Sequence, residues 1–249
     1  NDSIFIESHT FKSITIEGAV KFPGNYKIEL NDRLSDAIRL AGGYLPDAYP
    51  FGGILENEYA GEISAIGSDF TYNELVKDIV LNDQDLSGSI DMLLNLKPPS
   101  TKRVIADFNL DKICNDLDSD TLLQDEDRIF IPTKTQQIYV YGAINSPGAS
   151  RFMQHKNVLY FIKDSGGFAE NANQENIFII QPNGESVLYT NNNLRLFGRK
   201  ANRIDLYPGS VIFVTPELKM SPQRSASIWA PLVSSFALTL ASISSLNNN

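Results

Sequence analysis

The sequence predicts an α+β chain that carries two tandem copies of one unit, and three observations support this. The first is self-similarity. Residues 14–24 read ITIEGAVKFPG and residues 138–148 read IYVYGAINSPG. Gly18, Pro23 and Gly24 map onto Gly142, Pro147 and Gly148 at an offset of 124, which also carries Gly42-Gly43 onto Gly166-Gly167. The second is a change of period inside each copy, from strand alternation to helical spacing. The third is an apolar strand that recurs after an acidic or glycine turn: Asp2-Ser3-Ile4-Phe5-Ile6, Asp127 to Pro132, and Pro208 to Val214. That strand closes each unit.

Residues 1–12 read as the closing strand of a preceding unit plus a linker. There is no initiator Met, basic n-region or apolar h-region, so no signal peptide is read here. The opening predicts a fragment or processed product entered mid-fold, with any targeting signal upstream.

The first full unit spans 13–132. Ile14 and Ile16 alternate with Thr15 and Glu17, which is strand period. Pro23-Gly24 suits the centre of a type II turn, since Pro fixes φ and Gly accepts a positive one. Tyr26 and Ile28 then continue as a return strand. Asn31 or Asp32 is placed to cap a short helix bearing Leu34, Ala37, Ile38 and Ala41 on one face. Gly42 supplies its left-handed stop, with Gly43 beside it.

An insert of about 60–103 follows. Leu75, Val76, Ile79 and Val80, then Leu86, Ile90, Leu93 and Leu94, have helical spacing, and Pro98-Pro99 ends the pair. The second unit spans 133–217. Val158, Phe161 and Ile162 hold the helix positions before Gly166 and Gly167. Strands are predicted at about 177–181 and 186–190, joined by Gln181-Pro182-Asn183-Gly184. Each unit is thus a hairpin, a helix across a mixed sheet, further strands and a closing strand.

Residues 218–249 read as a linker and an amphipathic membrane helix over 226–246. Its 21 residues carry no charge and would reach about 31 Å as a helix, close to the hydrocarbon thickness. Trp229, Leu232, Val233, Phe236, Leu240 and Ile243 fall on one face, which suits lipid. Ser234, Ser235, Ser242 and Ser245 fall mostly on the other, which suits a water-filled lumen. The competing readings are a helix packed on its own domain and a disordered tail.

Composition narrows the chemistry. The 249 residues include 21 Lys+Arg against 30 Asp+Glu, a net charge of −9, with 42% hydrophobic and 20% charged residues. This is a globular composition, and so acidic a chain lacks the basic face that nucleic acid requires. One Cys (Cys114) and two His (His9 and His155) supply neither a disulfide nor a zinc or iron–sulfur ligand set. Asp116, Asp118, Asp120 and Asp127 imitate a calcium loop. However, Thr121 stands where the turn needs Gly, and Asp127 stands where a bidentate Glu belongs. The stretch 106–127 holds eight carboxylates, and the plainer reading is an acidic solvated turn. No nucleophile elbow, P-loop or dinucleotide fingerprint occurs, so no enzyme activity, catalytic residue, cofactor or metal is expected.

Two surface features remain. Arg195, Arg199, Lys200 and Arg203 could meet an anionic polysaccharide or a neighbouring subunit, or form a solvated loop. Tyr139 and Tyr141 lie opposite Ile138 and Val140 on their strand. They suit an interface, a sheet cover or a sugar contact.

The repeated pattern of strand, Gly-Ala-Val/Ile, two residues, Pro-Gly, hairpin, short helix and Gly-Gly resembles the soluble ligand-binding β-grasp (SLBB) domain. Tandem copies with a C-terminal helical segment resemble the outer-membrane polysaccharide export proteins. That resemblance implies a non-enzymatic channel subunit for capsule or exopolysaccharide, in the periplasm and outer membrane of a Gram-negative bacterium. It implies a homo-oligomeric ring meeting an inner-membrane copolymerase, with the C-terminal helix in the outer membrane. The alternative is a periplasmic glycan- or partner-binding adaptor with no pore.

Overall fold

The computed structural model describes residues 11–82, 100–189, 204–217, 225–230 and 232–233. Two compact units divide the chain: 1–58 with 104–133, and 59–103 with 134–249. The residue 1–6 strand, the second insert helix near Leu86–Leu94, His9 and the Arg195–Arg203 cations lie outside the described residues.

In the first unit, β1 (Lys12–Gly18) pairs antiparallel with β2 (Gly24–Ile28) and parallel with β5 (Arg128–Ile131). Strand β3 (Ile54–Glu56) follows β5, and β4 (Arg103–Val104) forms the edge, giving the order β2-β1-β5-β3-β4. Alternation puts Ile14, Ile16, Leu55, Ile129 and Ile131 on one face. There they pack on Leu34, Ala37 and Ile38 of α1 (Leu34–Leu40). This burial of apolar surface is the main force holding the unit.

The second unit repeats the plan. β6 (Gln137–Gly142) pairs antiparallel with β7 (Gly148–Arg151) and parallel with β10 (Val211–Pro216). β10 pairs with β8 (Ala172–Ile180), and β8 with β9 (Ser186–Tyr189), giving β7-β6-β10-β8-β9. Ile138, Val140, Ile177, Ile179, Ile212 and Val214 pack on Val158, Phe161 and Ile162 of the second unit's own helix, Val158–Asp164. The two sheets match strand for strand, as the repeat predicts.

The repeated glycines hold one backbone frame. Lys21 N–H donates to Gly43 O, Phe22 N–H to Ala41 O and Leu45 N–H to Ala19 O. At the same offset, Asn145 donates to Gly167, Ser146 to Ser165 and Ala169 to Ala143. Gly42 and Gly166 both have φ of 80°, as their helix-stop role requires. Val at either position should destabilise its unit by roughly 1–2 kcal/mol, read as a lowered denaturant midpoint.

Two local expectations are corrected. Gly24 and Gly148 do not take a positive φ and instead begin β2 and β7. The hairpin connection is wider than a two-residue turn, because residues 19–22 pair with the segment after α1. Pro23 and Pro147 stand just before the return strands. The first helix is also not capped by Asn31 or Asp32. Its N-cap is Arg33, whose amide donates to Asp36 at 3.2 Å, while Ser35 N–H donates to Asp120 Oδ1 at 3.1 Å. Asp32 accepts instead from Glu29 N–H.

The insert departs most from expectation. Its first helix, α2 (Glu58–Asn82), interrupts the first unit in sequence yet belongs to the second in space. A short helix (Leu110–Ile113), capped by the Asn109 side chain, lies in the acidic stretch.

Candidate functional site

The two sheets differ most on the face turned away from their repeated helices. In the first unit that face carries Thr15, Glu17, Arg128 and Glu56. Arg128 Nη2 lies 2.6 Å from Glu17 and Nη1 lies 3.2 Å from Glu56, a three-residue ladder across β1, β5 and β3. The hydrogen bond to Glu17, more than any other neighbour, holds the Arg128 guanidinium above its usual range. Thr15 Oγ1 donates to Asn25 at 2.9 Å.

Register places Tyr139, Tyr141, Val211 and Ile180 at the corresponding positions of the second unit. Phe178, Val211, Tyr139, Leu188 and Phe213 there join a second apolar layer with Tyr72 and Val76 of α2 and Ile228, Trp229, Leu232 and Val233. The second sheet is therefore covered on both faces.

This corrects three lipid-facing assignments. Residues 225–230 and 232–233 are helical, as predicted, but Trp229, Leu232 and Val233 are buried in protein. The ring of Trp229 lies 6.2 Å from that of Phe213. The same uncharged face satisfies a sheet as well as it satisfies lipid, because burial of apolar surface is non-directional. The other named positions of the segment, Ser234, Ser235, Phe236, Leu240, Ser242, Ile243 and Ser245, lie outside the described residues. Among the described residues no helix is long and apolar enough to cross a membrane.

Tyr139 and Tyr141 stack with ring centroids 6.4 Å apart and planes 8° apart. Their roles differ. Tyr139 packs on the inner apolar layer, and its hydroxyl donates to Gln137 Oε1 at 3.2 Å. Burial is the main reason its phenol titrates above the usual range. Tyr141 is 38% exposed and is the one of the pair available for an external contact. We expect Tyr141→Ser to change stability by less than about 1 kcal/mol and Tyr139→Ser by about 2 kcal/mol. Chemical denaturation of the two variants checks this.

The acidic stretch is structural. Asp116 accepts from Asp118 N–H and Ser119 Oγ, Asp120 from Ser35 N–H, and Asp127 from Asn57 Nδ2 and Gln124 N–H. Each carboxylate closes a different turn or helix end. Among the described residues no three His, Cys, Asp or Glu side chains gather as a metal-binding group. His155 and Cys114 are exposed.

Burial pushes the Asp127 carboxyl up, only partly offset by its two hydrogen bonds. A raised folded-state pKa means the native state binds the proton more tightly than the unfolded chain. Stability from this group therefore rises as pH falls towards the unfolded value near 4. The stability of the parent relative to Asp127→Asn should accordingly increase between pH 7 and pH 4. Denaturation at both pH values would show it, and a decrease would contradict the burial argument.

Sequence comparison agrees with this architecture. The SLBB domain model matches residues 13–57 and 137–190. The first match stops at Asn57, one residue before α2 begins, and both closing strands lie outside the matches. The chain thus carries two SLBB segments, each in a five-stranded mixed sheet. No curated protein matches the chain.

Proposed function

We propose that this chain is a non-enzymatic subunit of a polysaccharide export assembly in the periplasm and outer membrane of a Gram-negative bacterium. Its two β-grasp units serve as building blocks of a homo-oligomeric ring that meets an inner-membrane copolymerase. The observation that supports this reading is the tandem pair of SLBB segments on one repeated hydrogen-bond frame. Rigid repeated units suit assembly, because little conformational entropy is lost on docking. The test is deletion of the gene in the source bacterium, with surface polysaccharide measured before and after complementation. Normal surface polymer in the deletion strain would defeat the export role.

A second reading, a periplasmic adaptor with no pore, draws support from the burial of Trp229, Leu232 and Val233. Two substitutions separate the readings. With a pore helix, Phe236→Asp blocks membrane insertion, because a carboxylate facing lipid costs several kcal/mol, while Ser235→Asp is tolerated. With an adaptor, both variants partition as the parent does and both support the same polymer output.

A further inference from the structure

We propose that α2 is a self-association helix that pairs antiparallel with α2 of a second copy of this chain. The helix is apolar on two sides. Tyr72 and Val76 face the second sheet, and Gly61 is buried. Thr101 N–H donates to Ser64 Oγ, and Lys102 lies beside Gly61, so the returning chain also runs on that side. Opposite them stand Tyr59, Ile63, Ile66 and Phe70, exposed by 64%, 52%, 68% and 68%. Their spacing of four, three and four residues keeps all four within an arc of about 60°. This is the seam of a two-helix coil. A second apolar stripe opposite the buried one gives the helix a second surface to cover.

The stripe selects its own copy as partner. It reads aromatic, Ile, Ile, aromatic, which is a palindrome in size. A two-fold axis between Ser64 and Ala65 sets Tyr59 against Phe70 of the second copy and Ile63 against its Ile66. A two-fold contact uses one patch twice and needs this self-complementarity. Ala60 and Gly67 flank one edge and leave room for close approach. The exposed stripe offers on the order of 400 Å², within the range of the largest patches on monomers. Pairing two copies, with flanking atoms included, covers about 1,000 Å², the lower bound of a specific contact. Glu62 and Asp69 lie on the other edge, where antiparallel pairing brings Glu62 near Asp69 of the second copy. The inference does not rest on the export reading, and its test uses no export readout.

The experiment uses the full chain. A mixture of Ile63→Cys and Ile66→Cys variants, both in a Cys114→Ser background, should form a mixed disulfide under mild oxidation. Assembly through any other surface does not create that link. Sedimentation should show that Ile63→Asp with Ile66→Asp weakens the pairing at least tenfold with an unchanged thermal midpoint. Glu62→Lys should tighten it several-fold. The proposal is overturned if no mixed disulfide forms, or if the double Asp variant associates as the parent does. It also fails if that variant loses thermal stability with no change of mass, since the stripe would then be covered within its own chain.

Discussion

Gly142→Ala should unfold the second unit at ambient temperature. The residue has φ of 93°, and a Cβ built on it would lie 2.0 Å from the carbonyl oxygen of Val214. Val214 is the ladder partner of Gly142 on β10, so the obstacle is backbone in the middle of the sheet. A flexible side chain could turn aside, but a paired carbonyl cannot. The left-handed conformation costs about 1–2 kcal/mol, and separation of the parallel pair adds to it, for a loss of about 4 kcal/mol or more. Gly18→Ala should do the same to the first unit, where the Cβ would lie 2.1 Å from Ile131 O. Thermal denaturation should show one of two transitions lost in each case. A variant that retains both transitions would contradict the close approach.

Trp229→Ala should cost the second unit about 3–5 kcal/mol. The side chain is among the largest fully buried ones and joins Phe178, Ile180 and Val211 beneath the C-terminal helical turn. Among the described residues its Nε1 has no hydrogen-bond partner. Most of its contribution is therefore packing, and Trp229→Phe should lose much less than Trp229→Ala. Urea midpoints of the two variants give the comparison. If Trp229 faced lipid instead, Trp229→Ala would leave the midpoint of the detergent-free protein unchanged.

How much of this was legible in the sequence depends on how local the cause is. The hairpin, helix and Gly-Gly stop depend on residues a few positions apart, and the 124-residue repeat displayed them twice. The cap of α1 was not legible, because its second acceptor, Asp120, arrives from 85 positions away. The wide connection before Gly24 was missed for the same reason, since residues after α1 hold it open.

The second cover of the second sheet left a usable signal. Ile177 to Ile180 and Val211 to Val214 are unbroken apolar runs, whereas β1 alternates. Such runs belong to strands buried on both faces. They required a further layer, and the uncharged C-terminal segment was the obvious candidate. That the other half of the layer would come from α2, inside the first unit's sequence, had no local sign. The Glu17–Arg128–Glu56 ladder needed the strand order before its members could be seen as neighbours.

The interlacing of the two units has a consequence during synthesis. The ribosome delivers α2 before any strand of the sheet that α2 covers. More than a hundred residues separate α2 from the last strand of that sheet. At ordinary translation rates α2 waits roughly six to thirty seconds with Tyr72 and Val76 uncovered. The first unit also waits for β5 until the insert has passed. The second unit cannot mature from residues 134–249 alone, and a cut at residue 133 would strand its helix on the wrong fragment. Holdase chaperones should therefore engage this chain at the insert, and ribosome-bound intermediates halted between residues 104 and 210 should be its most protease-sensitive forms.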